Sequence, residues 1–330
     1  MQNDKLIVPR DLTEVRQHGF PYFWYDETYE KTFKTLKKKE PRSVLKDEQT
    51  INISGSYTKL ASTFFPQMFS TRVDGMKTPL EAWNDDKLLA RAIELTHRYF
   101  KPANYKALRN QISFVSGTQR VSNFRPDVAK FIYNEYGNKG NVYDFSMGYG
   151  GRLVGFLASD CIQYVGVDVN EENFVGYHKI FNTYPNDKKV SFIQSPAEEF
   201  KPVILEQHFD LAFSSPPYFN KEQYSEDVNQ SYLKYTTVEA WLEGFLRPTI
   251  KNIKLMLKDM GKFVINIANI KVKGKPVLLV EFTKKIAEEE GFILEREYFY
   301  NLTKILGVKD KFEVGNFKKE PIMVFRKVQK

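Results

Sequence analysis

One cysteine, Cys161, stands in 330 residues, so no disulfide can close within the chain and no zinc site of several thiolates can form. Nothing in its redox chemistry therefore ties the protein to an oxidising compartment. Long apolar runs are also missing. Leu211 to Phe213 and Val277 to Val280 are among the longest, far short of the ~20 residues a membrane-spanning helix needs. The first residues, MQNDKLIVPRDLTE, contain no apolar stretch of the signal-peptide kind, and the expected location is cytoplasmic. Histidine is scarce: His18, His97, His178 and His208 are scattered without ligand spacing, and no metal is expected. Internal repeats are absent, and the only biased tract is a short lysine run at Lys37, Lys38 and Lys39.

What is present describes a globular chain, with 42% hydrophobic and 15% aromatic residues. At about 100 to 200 residues per domain, the length suits one large domain with an appendage, or two domains. Lys and Arg exceed Asp and Glu by 49 to 41, a net charge of +8, which is compatible with a polyanionic partner without requiring one.

Two styles of sequence meet near residue 110. Residues 1–110 read as mainly helical, with a clear apolar periodicity in Lys87 to Phe100 (Leu88, Leu89, Ala92, Ile93, Leu95, Tyr99). Residues 111–330 alternate short strand-like runs with helical stretches, the pattern of a parallel sheet covered on both faces. Strands are expected at Val142 to Phe145, Tyr164 to Asp168, Val190 to Gln194, Leu211 to Ser214 and Lys262 to Ala268. Ile293 to Tyr300 and Pro321 to Arg326 have no helical pattern between them, which predicts an antiparallel pair at the end of the sheet. Ahead of the first strand, Phe124-Arg125-Pro126-Asp127 reads as a helix start, with proline in the first turn and an acid favoured by the helix dipole.

Three segments carry chemistry. Asp144-Phe145-Ser146-Met147-Gly148-Tyr149-Gly150-Gly151 lies where a strand ends and a helix begins, and glycines there let backbone N–H groups approach a ligand. Asp168 ends the next strand, at the spacing that suits an acceptor for ribose hydroxyls. A dinucleotide fingerprint would need glycine at position 153, which is Leu153; this weakens the alternative reading as an NAD-dependent oxidoreductase. The third segment is Leu211-Ala212-Phe213-Ser214-Ser215-Pro216-Pro217-Tyr218. Two prolines at the end of an apolar strand fix the turn and remove two N–H donors, so carbonyl oxygens are left toward the crevice beside an aromatic ring.

Asp144 with the Gly-x-Gly-Gly turn resembles the first motif of S-adenosylmethionine-dependent methyltransferases. Ser215-Pro216-Pro217-Tyr218 resembles the Asp/Asn/Ser-Pro-Pro-Tyr motif of the DNA amino-methyltransferases, the N6-adenine and N4-cytosine type. The resemblance spans roughly residues 118–327 and includes Phe124-Arg125-Pro126 and the terminal strand beginning Glu320-Pro321. It implies an α/β, Rossmann-like class I methyltransferase fold with a seven-stranded, mostly parallel sheet, beside the mainly helical N-terminal region. It further implies S-adenosyl-L-methionine as cofactor and DNA as partner, RNA being the lesser alternative, along with a protein amide. On this resemblance Ser215, Pro216, Pro217 and Tyr218 are catalytic: the serine and the Pro216 carbonyl would accept hydrogen bonds from the target amine, and Tyr218 would stack on the base. The cofactor would be held by Phe124, Arg125, Pro126, Asp144, Ser146, Gly148, Gly150 and Asp168, with Ser195, Ala197 or Glu198 near the adenine ring. Ser in the first position leans toward cytosine. Residues 1–110 are left as a possible target-recognition region, and Lys221, Lys271, Lys273, Lys275, Lys304, Lys309 and Lys311 as possible phosphate contacts.

Overall fold

The computed structural model describes residues 4–52, 57–301 and 319–328. In the N-terminal part, helix α1 (Leu12–Gln17) and α2 (Thr28–Lys38) precede a two-residue strand β1 (Thr50–Ile51). Helix α3 (Lys59–Ser62), strand β2 (Arg72–Val73), α4 (Pro79–Asn84), α5 (Asp86–Tyr99) and α6 (Tyr105–Ile112) follow. The periodic segment read from the sequence is α5, started by the Asp85 side chain accepting from the N–H groups of Lys87 and Leu88, as N-caps do.

Helix α7 (Pro126–Tyr136) begins as the sequence predicts, with Pro126 in its first turn and Val128, Phe131 and Ile132 buried. Then come β3 (Asn141–Asp144), α8 (Gly151–Leu157), β4 (Gln163–Asp168), α9 (Glu172–Thr183), β5 (Lys189–Gln194) and β6 (Phe209–Ser214). After the Pro-Pro turn lie β7 (Glu222–Gln223), α10 (Ser231–Lys234), α11 (Val238–Trp241), a π-turn at Leu242–Leu246 and α12 (Arg247–Met256). The chain closes with β8 (Leu257–Asn266), β9 (Ile270–Val272), β10 (Lys275–Val277), α13 (Leu279–Glu289), β11 (Phe292–Asn301) and β12 (Lys319–Lys327).

The main sheet has the order β1-β11-β12-β8-β6-β3-β4-β5. All seven expected strands are in it, and β12 runs antiparallel to both β11 and β8 while the rest of that set pair in parallel. The sheet is thus α/β and Rossmann-like, but with eight strands rather than seven. The eighth is β1, which adds in parallel to the edge of β11. A two-residue edge strand carries no alternation to read, so periodicity does not reveal it. After β8 the chain forms the hairpin β9–β10, turned through Lys273 and Gly274, both at positive φ, the geometry that suits a two-residue hairpin.

Two layers of core cover the sheet. On one face α7, α8 and α9 pack with Phe33, Leu36, Leu60, Ala61 and Phe65 of the N-terminal part in a single cluster. On the other, Trp241, Phe245, Ile250 and Ile253 pack against β6 and β8. A smaller core of α1, α4, α5 and α6, with Phe20, Phe69 and Trp83, belongs to the N-terminal part alone. The N-terminal 110 residues therefore divide: one half completes the sheet's own core, and one half is a helical lobe. Cys161 is buried, and burial pushes its thiol up to about 12, as for a small core residue. Among the described residues, no helix is long and apolar enough to cross a membrane. Lys304, Lys309 and Lys311 lie outside the described residues.

Candidate active site

From β3 the sheet steps to β4 on one side and to β6 on the other, which makes the gap between β3 and β6 the switch point where such sheets bind ligands. The glycine turn leaves β3 at this point. Gly148 and Gly150 hold φ of +56° and +70°, values that side chains with a Cβ adopt only with strain. Their surroundings differ. A Cβ on Gly148 would meet nothing within 4 Å, whereas one on Gly150 would lie 2.6 Å from Ile180. Gly148 thus borders open space, and Gly150 lets α8 start against Phe65 and α9.

A cleft of about 570 Å³, open at its mouth, lies over these strand ends. Phe145, Ser146 and Gly148 line it from the β3 turn, Asp168 and Asn170 from the end of β4, and Ser195, Ala197 and Glu198 from the end of β5. Ser215 and Pro217 supply its wall from β6. Asp168 is held by three close donors, the Gly148 N–H at 2.8 Å, the Asn170 N–H at 2.9 Å and the Tyr177 hydroxyl at 3.0 Å, with Asn173 Nδ2 a fourth at 3.5 Å. Burial pushes its carboxyl above the usual range, opposed by those same hydrogen bonds. Glu198 is buried against Lys234 Nζ at 3.1 Å and the Tyr235 hydroxyl at 3.2 Å.

Asp144 differs from its expected place. Its carboxylate is fully buried beneath the turn and accepts from Arg152 Nε at 2.9 Å, the Tyr164 hydroxyl at 2.8 Å and Ser214 Oγ at 2.7 Å. It borders neither cleft: it ties β3, β4, β6 and the first turn of α8 together. The paired guanidinium of Arg152 is pushed down by burial, but the Asp144 charge outweighs this and holds it above its ordinary value. Because Asp144 and Arg152 flank the glycine turn, their opposite charges were a readable signal for this pair.

A second cleft, about 1050 Å³ with its open mouth, adjoins the first, and Gly148, Ser215 and Tyr224 line both. Phe124 and Arg125 belong to this second cleft and not to the first, while Pro126 is buried at the start of α7 and borders neither. The Phe124 ring packs edge-on to Phe213, and Arg125 grips Asp127 through two nitrogens, at 3.1 Å and 2.8 Å. The two prolines divide between the spaces, Pro217 in the first cleft and Pro216 in the second. Among the described residues, no donor reaches the Pro216 carbonyl. The Tyr218 ring is buried, with its hydroxyl 3.1 Å from Ser215 Oγ and donating to Glu320 Oε1 at 2.6 Å. Burial and the Glu320 charge push the Tyr218 phenol well above its ordinary value.

Sequence reasoning missed Glu222, Tyr224, Asn266, Tyr300 and Glu320, all of which line the second cleft. Tyr224 donates to Glu222. Strand β7, which carries Glu222, is held by antiparallel pairing with β2, so the N-terminal part shapes the wall directly. Thr71 beside β2 also hydrogen-bonds the Tyr149 hydroxyl of the glycine turn. A third cleft, beyond Lys221, is lined by Asp74 and Gly75 and by Lys271 and Lys273 of the β9–β10 hairpin.

A doubly wound α/β sheet with a ligand cleft at its switch point is the class that fold and site define. More particularly, residues 209–330 match the family model described as DNA methylase, which bears out over that span the resemblance read from the sequence. No curated protein matches the chain. Among solved structures, TrmN from Thermus thermophilus is similar at 12% identity and a TM-score of 0.40, over 62% of this chain and 49% of that one. The chain thus spans about half the length of that protein. A putative RNA methyltransferase from Pyrococcus horikoshii is similar at 16% identity and 0.39, over 62% and 83% of the two chains. The 1,6-didemethyltoxoflavin-N1-methyltransferase of Burkholderia thailandensis, solved with bound S-adenosylhomocysteine, is similar at 15% and 0.39, over 61% and 77%.

Proposed function

We propose that the protein transfers the methyl group of S-adenosyl-L-methionine to an exocyclic amino group of a DNA base, N4 of cytosine or N6 of adenine. The observation that carries this reading is the meeting of two clefts at Ser215, one over the glycine turn and Asp168, the other over Pro216 and Tyr218. The match of residues 209–330 to the DNA methylase model supports it.

The first cleft takes the cofactor. Asp168 accepts from the ribose hydroxyls, the Gly148 backbone admits the amino-acid portion, and Ser195 to Glu198 border the adenine. The second takes the target base, extruded from the duplex. There the amine donates to Ser215 and to the Pro216 carbonyl, which draws its lone pair out of conjugation with the ring. Rings of Phe124, Tyr224 and Tyr300 wall that cleft beside Tyr218 and offer faces for stacking and for the positive charge of the sulfonium. Displacement in line needs little more than such positioning.

The duplex outside the cleft meets Lys221, Lys271 and Lys273, whose contacts with phosphate supply affinity that falls with salt. The helical lobe of residues 1–110 is the module for sequence reading, next to that groove through Asp74 and Gly75. The test is product identity: incubate the protein with methyl-labelled S-adenosylmethionine and either DNA or RNA, digest to nucleosides and weigh them. N4-methylcytosine or N6-methyladenine from DNA is expected. Label confined to RNA would move the assignment to RNA, and label on no amino group would end it.

A further inference from the structure

The motif supplies a serine where a stronger acceptor would serve an amine better, and the second cleft holds two carboxylates that the motif does not include. Glu320 sits on the lip of the sheet, opposite Tyr300 in the β11–β12 register. Its neighbour Pro321 is fixed by its carbonyl accepting from Asn266 Nδ2 at 3.0 Å. The Tyr218 hydroxyl lies between Glu320 Oε1, at 2.6 Å, and Ser215 Oγ, at 3.1 Å. One carboxylate oxygen is thus positioned by the motif's own tyrosine. The other, Oε2, has no protein donor, and Glu320 makes no ion pair, among the described residues.

The cations of the cleft are otherwise engaged. Arg152 is paired with Asp144 and Arg125 with Asp127, while Lys221 lies over the Tyr218 ring at 5.7 Å. Glu222, the second carboxylate, accepts from Tyr224 and feels the charge of Glu320. This wall is rich in acceptors and suits a ligand edge that brings donors. Phosphates need not approach it, because only the base enters.

We infer that Glu320 is a catalytic residue of the proposed transfer: it accepts a hydrogen bond from the target amine and takes the proton the amine gives up. The inference rests on the reading of the site as an amino-methyltransferase. The amine lone pair forms the new nitrogen–carbon bond, the carbon–sulfur bond breaks with its electron pair passing to sulfur, and the surplus proton moves to the Glu320 carboxylate. The products are S-adenosylhomocysteine, the methylated amine and a neutral Glu320 that returns its proton to water at the cleft mouth. Tyr218 is then a positioning residue, holding Glu320 and Ser215 in one register.

Single-turnover transfer from labelled S-adenosylmethionine to DNA, followed against pH in wild type, Glu320→Gln, Glu320→Asp and Glu222→Gln, tests this. Glu320→Gln keeps an oxygen for Tyr218 but cannot take a proton. It is expected to slow transfer by about 100-fold, the scale of general-base catalysis, with S-adenosylhomocysteine binding within twofold of wild type. The groups facing Glu320 are Tyr218, Glu222, Tyr224, Tyr300, Lys221, Arg125 and Arg152, and Glu222 is the other carboxyl able to give the same acid limb. The fall of rate toward acid pH should persist in Glu222→Gln and vanish in Glu320→Gln. Should Glu320→Gln not fold, Glu320→Asp decides, with at least tenfold slower transfer and a retained acid limb. Wild-type rates with an unchanged pH profile in the variant that folds would overturn the inference and leave the proposed function standing. A wild-type protein that methylates no amino group would overturn both.

Discussion

The two clefts that meet at Ser215 are built in opposite ways. The first takes its walls chiefly from the ends of three strands that pair side by side, β3, β4 and β5, and from the turns directly after them, with Ser215 and Pro217 after β6 and Asn229 to Ser231 and Phe245 completing it. The second gathers residues from the start of α7, the glycine turn, the Pro-Pro turn, β7, the end of β8, β11 and β12. A parallel sheet places successive strand ends along one edge, so the first cleft follows from local order. The second needs the chain to return from far away, and its chemistry is accordingly scattered through the sequence. The difference also runs to charge: in the first cleft Glu198 is answered by Lys234, whereas Glu222 and Glu320 in the second have tyrosine partners.

The sharpest way to break this contrast is to remove residues 1–110. If they were only a reading module, the sheet would survive. The shared core instead predicts collapse, because Phe33, Leu36, Leu60 and Phe65 leave it together. At about 3 kcal/mol or more for each large buried side chain, the loss of roughly 12 kcal/mol or more is as large as the ~5–15 kcal/mol that holds a typical domain. Thermal unfolding should show no cooperative transition, and a normal one would mean that the catalytic sheet stands alone.

Next in size is Asp144→Ala. Asp144 was expected among cofactor contacts, but its burial with Arg152 predicts a loss of about 3–5 kcal/mol in denaturant unfolding, the cost of leaving a buried charge unpaired. A variant of wild-type stability with weakened cofactor binding would restore the original expectation.

Glu222 gives a smaller effect with a definite sign. Burial raises its carboxyl above the ordinary value, and Glu320 adds to this. The folded protein therefore binds more protons than the unfolded chain just above the ordinary carboxylate range, and stability falls as pH rises through that window. Asp168 acts in the same direction. Glu222→Gln should reduce this fall and melt higher than wild type at pH 7; an unchanged or lower melting temperature would contradict the assigned burial cost.

The smallest effect expected is that of Lys273→Ala at the tip of the β9–β10 hairpin. If this lysine meets one phosphate, the slope of log affinity for DNA against log salt should drop by about 1, with no change in sequence preference. An unchanged slope would remove the hairpin from the interface.

How much of this was legible follows from the same contrast. Seven of the sheet's strands, the proline-led start of α7, the glycine turn and the Pro-Pro turn are local patterns found where the sequence puts them, except that β8 begins at Leu257, five residues ahead of the expected Lys262. Strands β1 and β7 have two residues each, too few to show a period, and they exist because an edge strand and β2 pair with them. Glu320 was visible only as the residue before an apolar strand. Its place beside Tyr218 depends on β12 inserting between β8 and β11, which no local pattern states. Phe124 and Arg125 were assigned to the cofactor, yet they line the neighbouring cleft, where the backbone of Phe124 passes against Gly151 at the start of α8.

The division of labour between the clefts is tested most directly by titrating S-adenosylhomocysteine into the wild-type protein, Asp168→Ala and Tyr218→Ala. The account predicts that Asp168→Ala weakens binding about 10- to 100-fold, the loss of charge-assisted hydrogen bonds of ~1.5–3 kcal/mol, while Tyr218→Ala stays within about threefold of wild type. Equal losses in both variants, or none in Asp168→Ala, would contradict it.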